Sequence, residues 1–370
     1  TCGDGQAALE LIAGPDDRPE LILLDINMPE MDGLEFVRHL VGRQYVGGLI
    51  LISGEDERTL QAAEKLAGAH KINVLGYLRK PATPDGLAAL LGKLTPQTQG
   101  APRAAKKTYG AEALRAAIAA GELLNYYQPK VMAATGRVMG VEALVRWHHP
   151  QDGIVLPDQF IGVAEENGLI DDLAKVVLGN AFAQARLWQE MGVMLHMSIN
   201  LSMDNLATLD FLDVIVDLAA RAGVPPQMVD LEVTETRLME DIRTPLEILS
   251  RLRLKRFRIS IDDFGIGNSS LAQLRDIPFD ELKIDQSFVH GAWGNEKLWA
   301  MFDSSLGLAK QLKMEVVAEG VEDRADWDFV RNRGCDIAQG YFIAKPMPAA
   351  DIPAWIQSWQ QAYPHSNRRV

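Results

Sequence analysis

Apolar residues follow two different rhythms along this chain. In residues 1–94, short uninterrupted apolar runs alternate with stretches whose apolar positions recur every three or four residues. The runs Leu21-Ile22-Leu23-Leu24, Leu49-Ile50-Leu51-Ile52 and Val74–Leu78 read as strands; Ala7–Ile12, Leu34–Leu40, Leu60–Ala69 and Leu87–Leu94 read as helices. Continuous apolar strands between helices predict a parallel sheet covered on both faces. Residues 95–108 lose the period and gather Pro and polar side chains, which predicts an interdomain linker. From Tyr109 onward eight strand-like runs follow, near Asn125–Met132, Val138–Trp147, His196–Leu201, Val229–Val233, Arg258–Ile261, Leu282–Asp285, Glu315–Ala318 and Ile337–Ile343. Helical stretches separate most of them: Phe160–Met191, Met203–Ala222, Pro245–Arg256, Lys297–Leu312 and Arg324–Arg333. Eight strands alternating with helices over about 250 residues predict an α/β fold of the closed (β/α)8 kind, a TIM-like barrel over 109–363. Only Ala133-Ala134-Thr135-Gly136-Arg137 joins the first two strands. So short a link allows a hairpin but no parallel crossover, so the first strand is expected to run antiparallel to the rest.

Composition narrows the class. The chain has 370 residues, enough for two domains, with 47% hydrophobic and 24% charged residues. A net charge of -13 argues against a nucleic-acid binder, which needs a basic stripe. No apolar run reaches the length of a membrane span, and nothing near Thr1 reads as a signal peptide. Cys2 and Cys335 lie far apart without metal-ligand spacing, a usage that suits a reducing cytoplasm.

The barrel strands carry a repeated chemical feature. Glu142, Asn200, Glu232, Asp262, Lys283, Glu319 and Gln339 stand one per strand, at the strand's carboxyl end or midway along an otherwise apolar run. Barrel enzymes place their catalytic groups there. Burying each charge unpaired costs several kcal/mol, so these residues are expected to meet around something. Asp262 and Asp263 are adjacent, which strand alternation does not explain. The strand is therefore expected to end at Ile261 and the backbone to turn, so that both carboxylates converge. Carboxylates that close repel unless cations sit between them. The set is rich in oxygen and holds neither Cys nor a helical His pair, which points to two hard ions, Mg2+ or Mn2+, bridged by Asp262.

The words around these residues resemble the EAL-domain cyclic di-GMP phosphodiesterases: Glu142-Ala143-Leu144-Val145-Arg146-Trp147, Asn200-Leu201-Ser202, Glu232-Val233-Thr234-Glu235, Asp262-Asp263-Phe264-Gly265, Lys283-Ile284-Asp285, Glu319-Gly320-Val321-Glu322 and Gln339-Gly340-Tyr341. The resemblance implies that Glu142, Asn200, Glu232 and Asp262 hold one ion, and Asp262 with Asp263 the other. Glu319 would hold the water at the metal, Gln339 would order the metal shell, and Glu235 would brace the loop after Asp263. Lys283 would orient the attacking water, or deprotonate it if its pKa is lowered. Gln128, Leu144 and Arg146 would contact the ligand, Arg146 as a bidentate phosphate partner. The reaction implied is hydrolysis of cyclic di-GMP to linear pGpG, by a homodimer joined through this domain. A non-catalytic receptor for the nucleotide is the alternative. Ile266 and Asn268 stand where the family usually carries Thr and Tyr, which bears on the loop's hydrogen bonding and on turnover. His148 and His149 are expected to be structural, Glu165 to lie outside the site, and Asp285 to support the site from behind rather than merely cap the end of its strand.

The amino-terminal part resembles a response-regulator receiver domain, a flavodoxin-like fold, through Leu24-Asp25-Ile26-Asn27-Met28-Pro29, Met31-Asp32-Gly33, Ser53 and Lys80-Pro81. Asp25 would be the phosphoacceptor, Ser53 and Lys80 its hydroxyl and cationic partners, Tyr77 the switch aromatic, and a sensor histidine kinase the phosphodonor. A receiver opens with a central strand ending in an acidic pair. This sequence starts past that point, at Thr1-Cys2-Gly3-Asp4-Gly5. Either about 30 residues, the usual span of one βαβ unit, precede it, or the sheet lacks its middle strand and Asp25 is not phosphorylated. The first is expected, because an exposed Leu/Ile sheet edge invites aggregation.

Overall fold

A strand without polar positions is stable only where both of its faces are covered, and the middle strand of the first sheet meets that condition, while Leu23 on its neighbour is exposed. In the computed structural model, which describes residues 2–12, 19–28, 30–43, 45, 47–54, 60, 67, 72–92, 107, 109–234, 243–265, 274 and 277–363, the chain divides into two compact units, Thr1–Ala104 and Ala105–Val370. In the first, Leu21–Asp25 (β1), Gly48–Ser53 (β2) and Asn73–Arg79 (β3) pair in parallel in that order. Leu49 and Leu51 of β2 pack with Leu24, Phe36 and Leu40 on one face, while Ile50 packs with Leu75, Leu78 and Leu90 on the other. The helices are Gly5–Leu11, Gly33–Gly42 and Pro84–Leu91, and the side chains of Asp4, Asp32 and Thr83 cap their first N–H groups. Of the helix expected at Leu60–Ala69, only Leu60 and Ala67 are among the described residues, and both are buried. The expected linker lies outside them except for Lys107.

The second unit is a closed eight-stranded barrel. Its wall runs through Leu123–Met132 (β4), Val138–His149 (β5), His196–Leu201 (β7), Val229–Thr234 (β8), Arg258–Phe264 (β9), Glu281–Ile284 (β10), Glu315–Ala318 (β11) and Ile337–Ala338 (β12), and closes back on β4. As the short link requires, β4 is antiparallel to both of its neighbours, while the other wall strands pair in parallel. Two short strands lie outside the wall: Gly153–Val155 (β6), which extends β5, and Met347–Pro348 (β13), which pairs with β4. Apolar residues between wall and helices, among them Ile199, Leu231, Ile259, Leu282 and Val316, form the core.

Four elements differ from the expectations; one is the stretch Met203–Ala222, which is a 3-10 turn, Met203–Leu206, followed by a helix, Asp210–Ala222. The stretch Phe160–Met191 is two helices, Ile161–Glu166 and Ile170–Glu190, interrupted by Asn167-Gly168-Leu169, where Gly168 has φ +64°. The last barrel strand stops at Ala338, because the chain turns at Gly340 and Ile343 N–H bonds back to the Gly340 carbonyl at 3.0 Å. Most consequential is β9, which continues through Asp262 and Asp263 to Phe264 instead of ending at Ile261. Its register against β10 slips there: Leu282 faces Ile261, but Ile284 faces Phe264. One extra residue is therefore accommodated as a bulge, with Asp263 at φ +55°. A bulge, not the end of a strand, frees two consecutive side chains from strict alternation.

Candidate active site

Because wall strands alternate in and out, residues two apart share the barrel interior. Each of several strands supplies such a pair: Ser198/Asn200, Asp230/Glu232, Ser260/Asp262, Glu281/Lys283 and, running the other way on β4, Lys130/Gln128. Two polar layers result. The upper one lies at the carboxyl ends of the parallel strands and opens into a cleft of about 340 Å3, lined by Gln128, Glu142, Leu144, Asp262, Asp263, Lys283, Glu319 and Gln339 among others.

Lys283 is the hub. Its Nζ donates to Glu232 Oε2 at 2.6 Å and lies 2.7 Å from Glu319 Oε1, 3.1 Å from Asp262 Oδ1 and 3.8 Å from Glu142 Oε1. Glu142 is held by two amides: Asn200 Nδ2 donates to its Oε1 at 2.7 Å and Gln339 Nε2 to its Oε2 at 2.6 Å. Gln339 Nε2 also reaches Gln128 Oε1 at 3.1 Å, and Gln128 is anchored on the Ala344 carbonyl at 3.0 Å. Carboxylate oxygens of Asp262, Asp263 and Glu319 all lie within 4.8 Å of one another. The structure thus brings Glu142, Asn200, Glu232, Asp262, Asp263, Lys283, Glu319 and Gln339 to one place.

Burial and charge oppose each other here. Burial pushes the carboxyl of Glu319 well above its ordinary range, outweighing the pull of Lys283, and Glu142 is raised for the same reason. Glu232 is equally buried, yet Lys283 and Lys130 together hold it below the usual value. Burial alone would lower Lys283, but the surrounding carboxylates raise it well above an ordinary lysine. Held by these carboxylates, Lys283 is a buried cation; divalent cations on the same carboxylates would weaken that hold.

The deeper layer was not anticipated. Lys130 is 2% exposed and donates to Ser198 Oγ at 2.6 Å and to Glu281 Oε1 at 3.2 Å, and it lies 3.5 Å from Glu232 Oε1. Ser260 Oγ completes this layer at 3.0 Å from Glu281 Oε1. Lower still, Asp230 pairs with Arg258, which also reaches Glu315 at 2.7 Å. The signal was present in the sequence: a polar residue two positions from Asn200, Glu232, Asp262, Lys283 and Gln128 falls on the same face.

Several expected residues stand apart from this cluster. Arg146 follows Glu142 and Leu144 on the same face of β5, but it bonds the Val145 carbonyl at 2.9 Å and lies 5.8 Å from the Tyr126 ring centroid. Glu235, Ile266 and Asn268 are outside the described residues. His149 Nδ1 accepts from the N–H groups of Gln151 and Asp152, both at 3.2 Å, a turn contact. Glu165 accepts from Ser202 Oγ at 2.7 Å, away from the cleft. Asp285 caps the helix Gln286–Val289 through Ser287 N–H at 2.8 Å and also lines the cleft, as do Gln286, Glu322 and Tyr341, which had not been singled out.

The donor set suits hard divalent cations. It is rich in oxygen, and the buried Gln339 Oε1 has no hydrogen-bond partner.

In the first unit, parallel register sets Asp25 at the end of β1 and Ser53 at the end of β2, with Lys80 just past β3. Lys80 Nζ pairs with Asp25 Oδ2, Ser53 is fully buried, and Tyr77 is half-buried on β3.

Comparison with known proteins agrees with this division. Residues 111–346 match the EAL domain family, and residues 1–91 match the response regulator receiver domain. Cyclic di-GMP phosphodiesterase RocR of Pseudomonas aeruginosa is 33% identical over 93% of this chain and 88% of its own length. An uncharacterized signaling protein of Caulobacter vibrioides is 41% identical over 65% of this chain, which spans only 30% of that protein. Among solved structures, the PaMucR phosphodiesterase in its c-di-GMP complex superposes with a TM-score of 0.62 at 39% identity, covering 65% of this chain and 98% of that one. No helix among the described residues is long and apolar enough to cross a membrane. The chain belongs to the EAL domain family and carries a response regulator receiver domain at its amino-terminal end.

Proposed function

We propose that the barrel hydrolyses cyclic di-GMP to linear pGpG with the help of divalent cations, and that the receiver domain regulates it. The observation that carries this reading is the convergence of Glu142, Glu232, Asp262 and Glu319 on one buried lysine at the carboxyl mouth of the barrel. The relatives named cyclic di-GMP phosphodiesterases and the c-di-GMP complex of the PaMucR barrel support the choice of substrate.

Glu142, Asn200, Glu232 and Asp262 would hold one Mg2+ or Mn2+, and Asp262 with Asp263 a second. Bound there, such ions would polarise the phosphodiester and make water a better nucleophile. The chain's own groups do the rest. Gln339 and Asn200 hold Glu142 by both of its oxygens, so its orientation is set before substrate arrives. Lys283 and Glu319, paired at 2.7 Å, would together hold the water that attacks phosphorus in line with the departing 3′ oxygen. A P–O bond forms on the water side as the P–O3′ bond breaks. The water gives up a proton, the 3′ oxygen takes one, and the ring opens to a 5′-phosphorylated linear dinucleotide. Lys283 would orient the attacking water, or deprotonate it where bound cations draw off the charge of its carboxylate neighbours. Leu144, Gln128 and Arg146 would contact the nucleotide. In the receiver, Asp25 would accept a phosphoryl group from a histidine kinase, with Lys80 and Ser53 as its partners and Tyr77 reporting the state.

Glu142→Ala and Lys283→Ala test the assignment. Each should cut turnover at least a hundredfold by liquid chromatography of the nucleotide products, with an unchanged far-ultraviolet circular dichroism spectrum. Wild-type turnover in either folded variant would refute these roles.

A further inference from the structure

Beyond the site itself, one buried carboxylate joins the two loops that leave its central strands. Asp326, on the helix Arg324–Asn332, has no solvent exposure. Its Oδ1 accepts from Gly291 N–H at 2.9 Å, and its Oδ2 from Glu322 N–H at 3.1 Å and His290 Nδ1 at 2.8 Å. Gly291 and His290 belong to the loop that leaves β10 after Lys283; Glu322 belongs to the loop that leaves β11 after Glu319. A carboxylate only accepts when ionised, so all three contacts draw the two loops onto one point. The loops are also in close contact nearer the cleft. Gly320 has φ +64°, and a Cβ there would fall 2.2 Å from Gln286 Cβ.

Nearby charge favours the same arrangement. His290 is faced by Asp326 from the helix, by Glu322 Oε2 at 4.0 Å from the second loop, and by Asp323 at the helix start. The Asp326 hydrogen bond, with these acids, raises its affinity for a proton. His290, Asp323 and Asp326 also lie close enough to suggest a cation site, but both Asp326 oxygens are already filled by N–H donors.

We propose that His290 and Asp326 are positioning residues for the hydrolysis: the pair staples the loops after β10 and β11 together, and so fixes Lys283 against Glu319. The inference rests on the phosphodiesterase reading above. Its consequence is specific, because neither residue lines the cleft. Loosening it should lower kcat more than it changes KM.

The test uses the full chain with cyclic di-GMP and Mn2+, at a temperature well below the melting point of each variant. His290→Ala should lower kcat about tenfold, with KM within threefold of wild type. His290→Asn places an amide N–H where Nδ1 stands and should restore kcat to within about twofold. Asp326→Asn, which turns one acceptor into a donor facing N–H groups, should lower kcat at least as far as His290→Ala. Wild-type kcat in folded His290→Ala, or equal losses in His290→Ala and His290→Asn, would overturn the proposal. If the wild-type chain leaves the nucleotide intact, the phosphodiesterase reading fails first and the staple's catalytic role falls with it.

Discussion

Asp230 shows what single residues do in this barrel interior. Burial alone would raise its carboxyl, but His196, Lys130 and Arg258 bring it down to about 2. An ordinary Asp titrates near 3.9 when unfolded, so the folded value is depressed. Its stabilisation is therefore fully present above about pH 4 and is lost as pH falls through the folded value near 2. The difference corresponds to on the order of 2 kcal/mol. Asp230→Asn should be less stable than wild type at pH 6, with the gap nearly constant down to about pH 4 and narrowing below it towards pH 2, measured by urea denaturation. A gap independent of pH would contradict the pairing. At this scale the sequence was partly legible. The upper layer stood out because each member interrupts an apolar strand at its end or midway along it. Lys130 and Glu281 did not, because a lone Lys or Glu in a strand reads as a solvent-facing residue until its partner on another strand is known. The direction of the Lys283 shift was also out of reach, since it depends on four carboxylates brought together from separate strands.

Elements behaved more predictably than residues. Strand positions followed from apolar runs, and the antiparallel first strand from the five-residue link Ala133–Arg137. The β9 bulge did not follow, because Asp-Asp-Phe-Gly carries the same turn residues whether a strand ends or bulges. The bulge places Asp263 in the left-handed region, where Asn and Asp are better tolerated than other side chains. Asp263→Asn should therefore keep thermal stability within about 0.5 kcal/mol of wild type, the usual range for a replacement that preserves backbone preference. It should also weaken Mn2+ binding, read as a smaller rise in melting temperature on adding the ion. A large loss of stability without metal would mean that the charge, not the backbone, holds the bulge.

On the scale of the whole molecule, two units of different architecture share one chain, each with its polar residues at the carboxyl ends of parallel strands. Both units follow one physical rule: side chains that cannot be buried alone gather where strands end and loops begin. That rule, and the spacing of motifs along the chain, made the division into units legible before any coordinates. The central claim concerns the barrel: its carboxylate cluster works through divalent cations on a cyclic dinucleotide. The most direct measurement incubates the full chain with cyclic di-GMP in Mn2+, in Mg2+ and in excess EDTA, and separates the nucleotides by chromatography. The account predicts pGpG with either ion and intact substrate in EDTA. Intact cyclic di-GMP in both ions, or pGpG formed equally in EDTA, would contradict it.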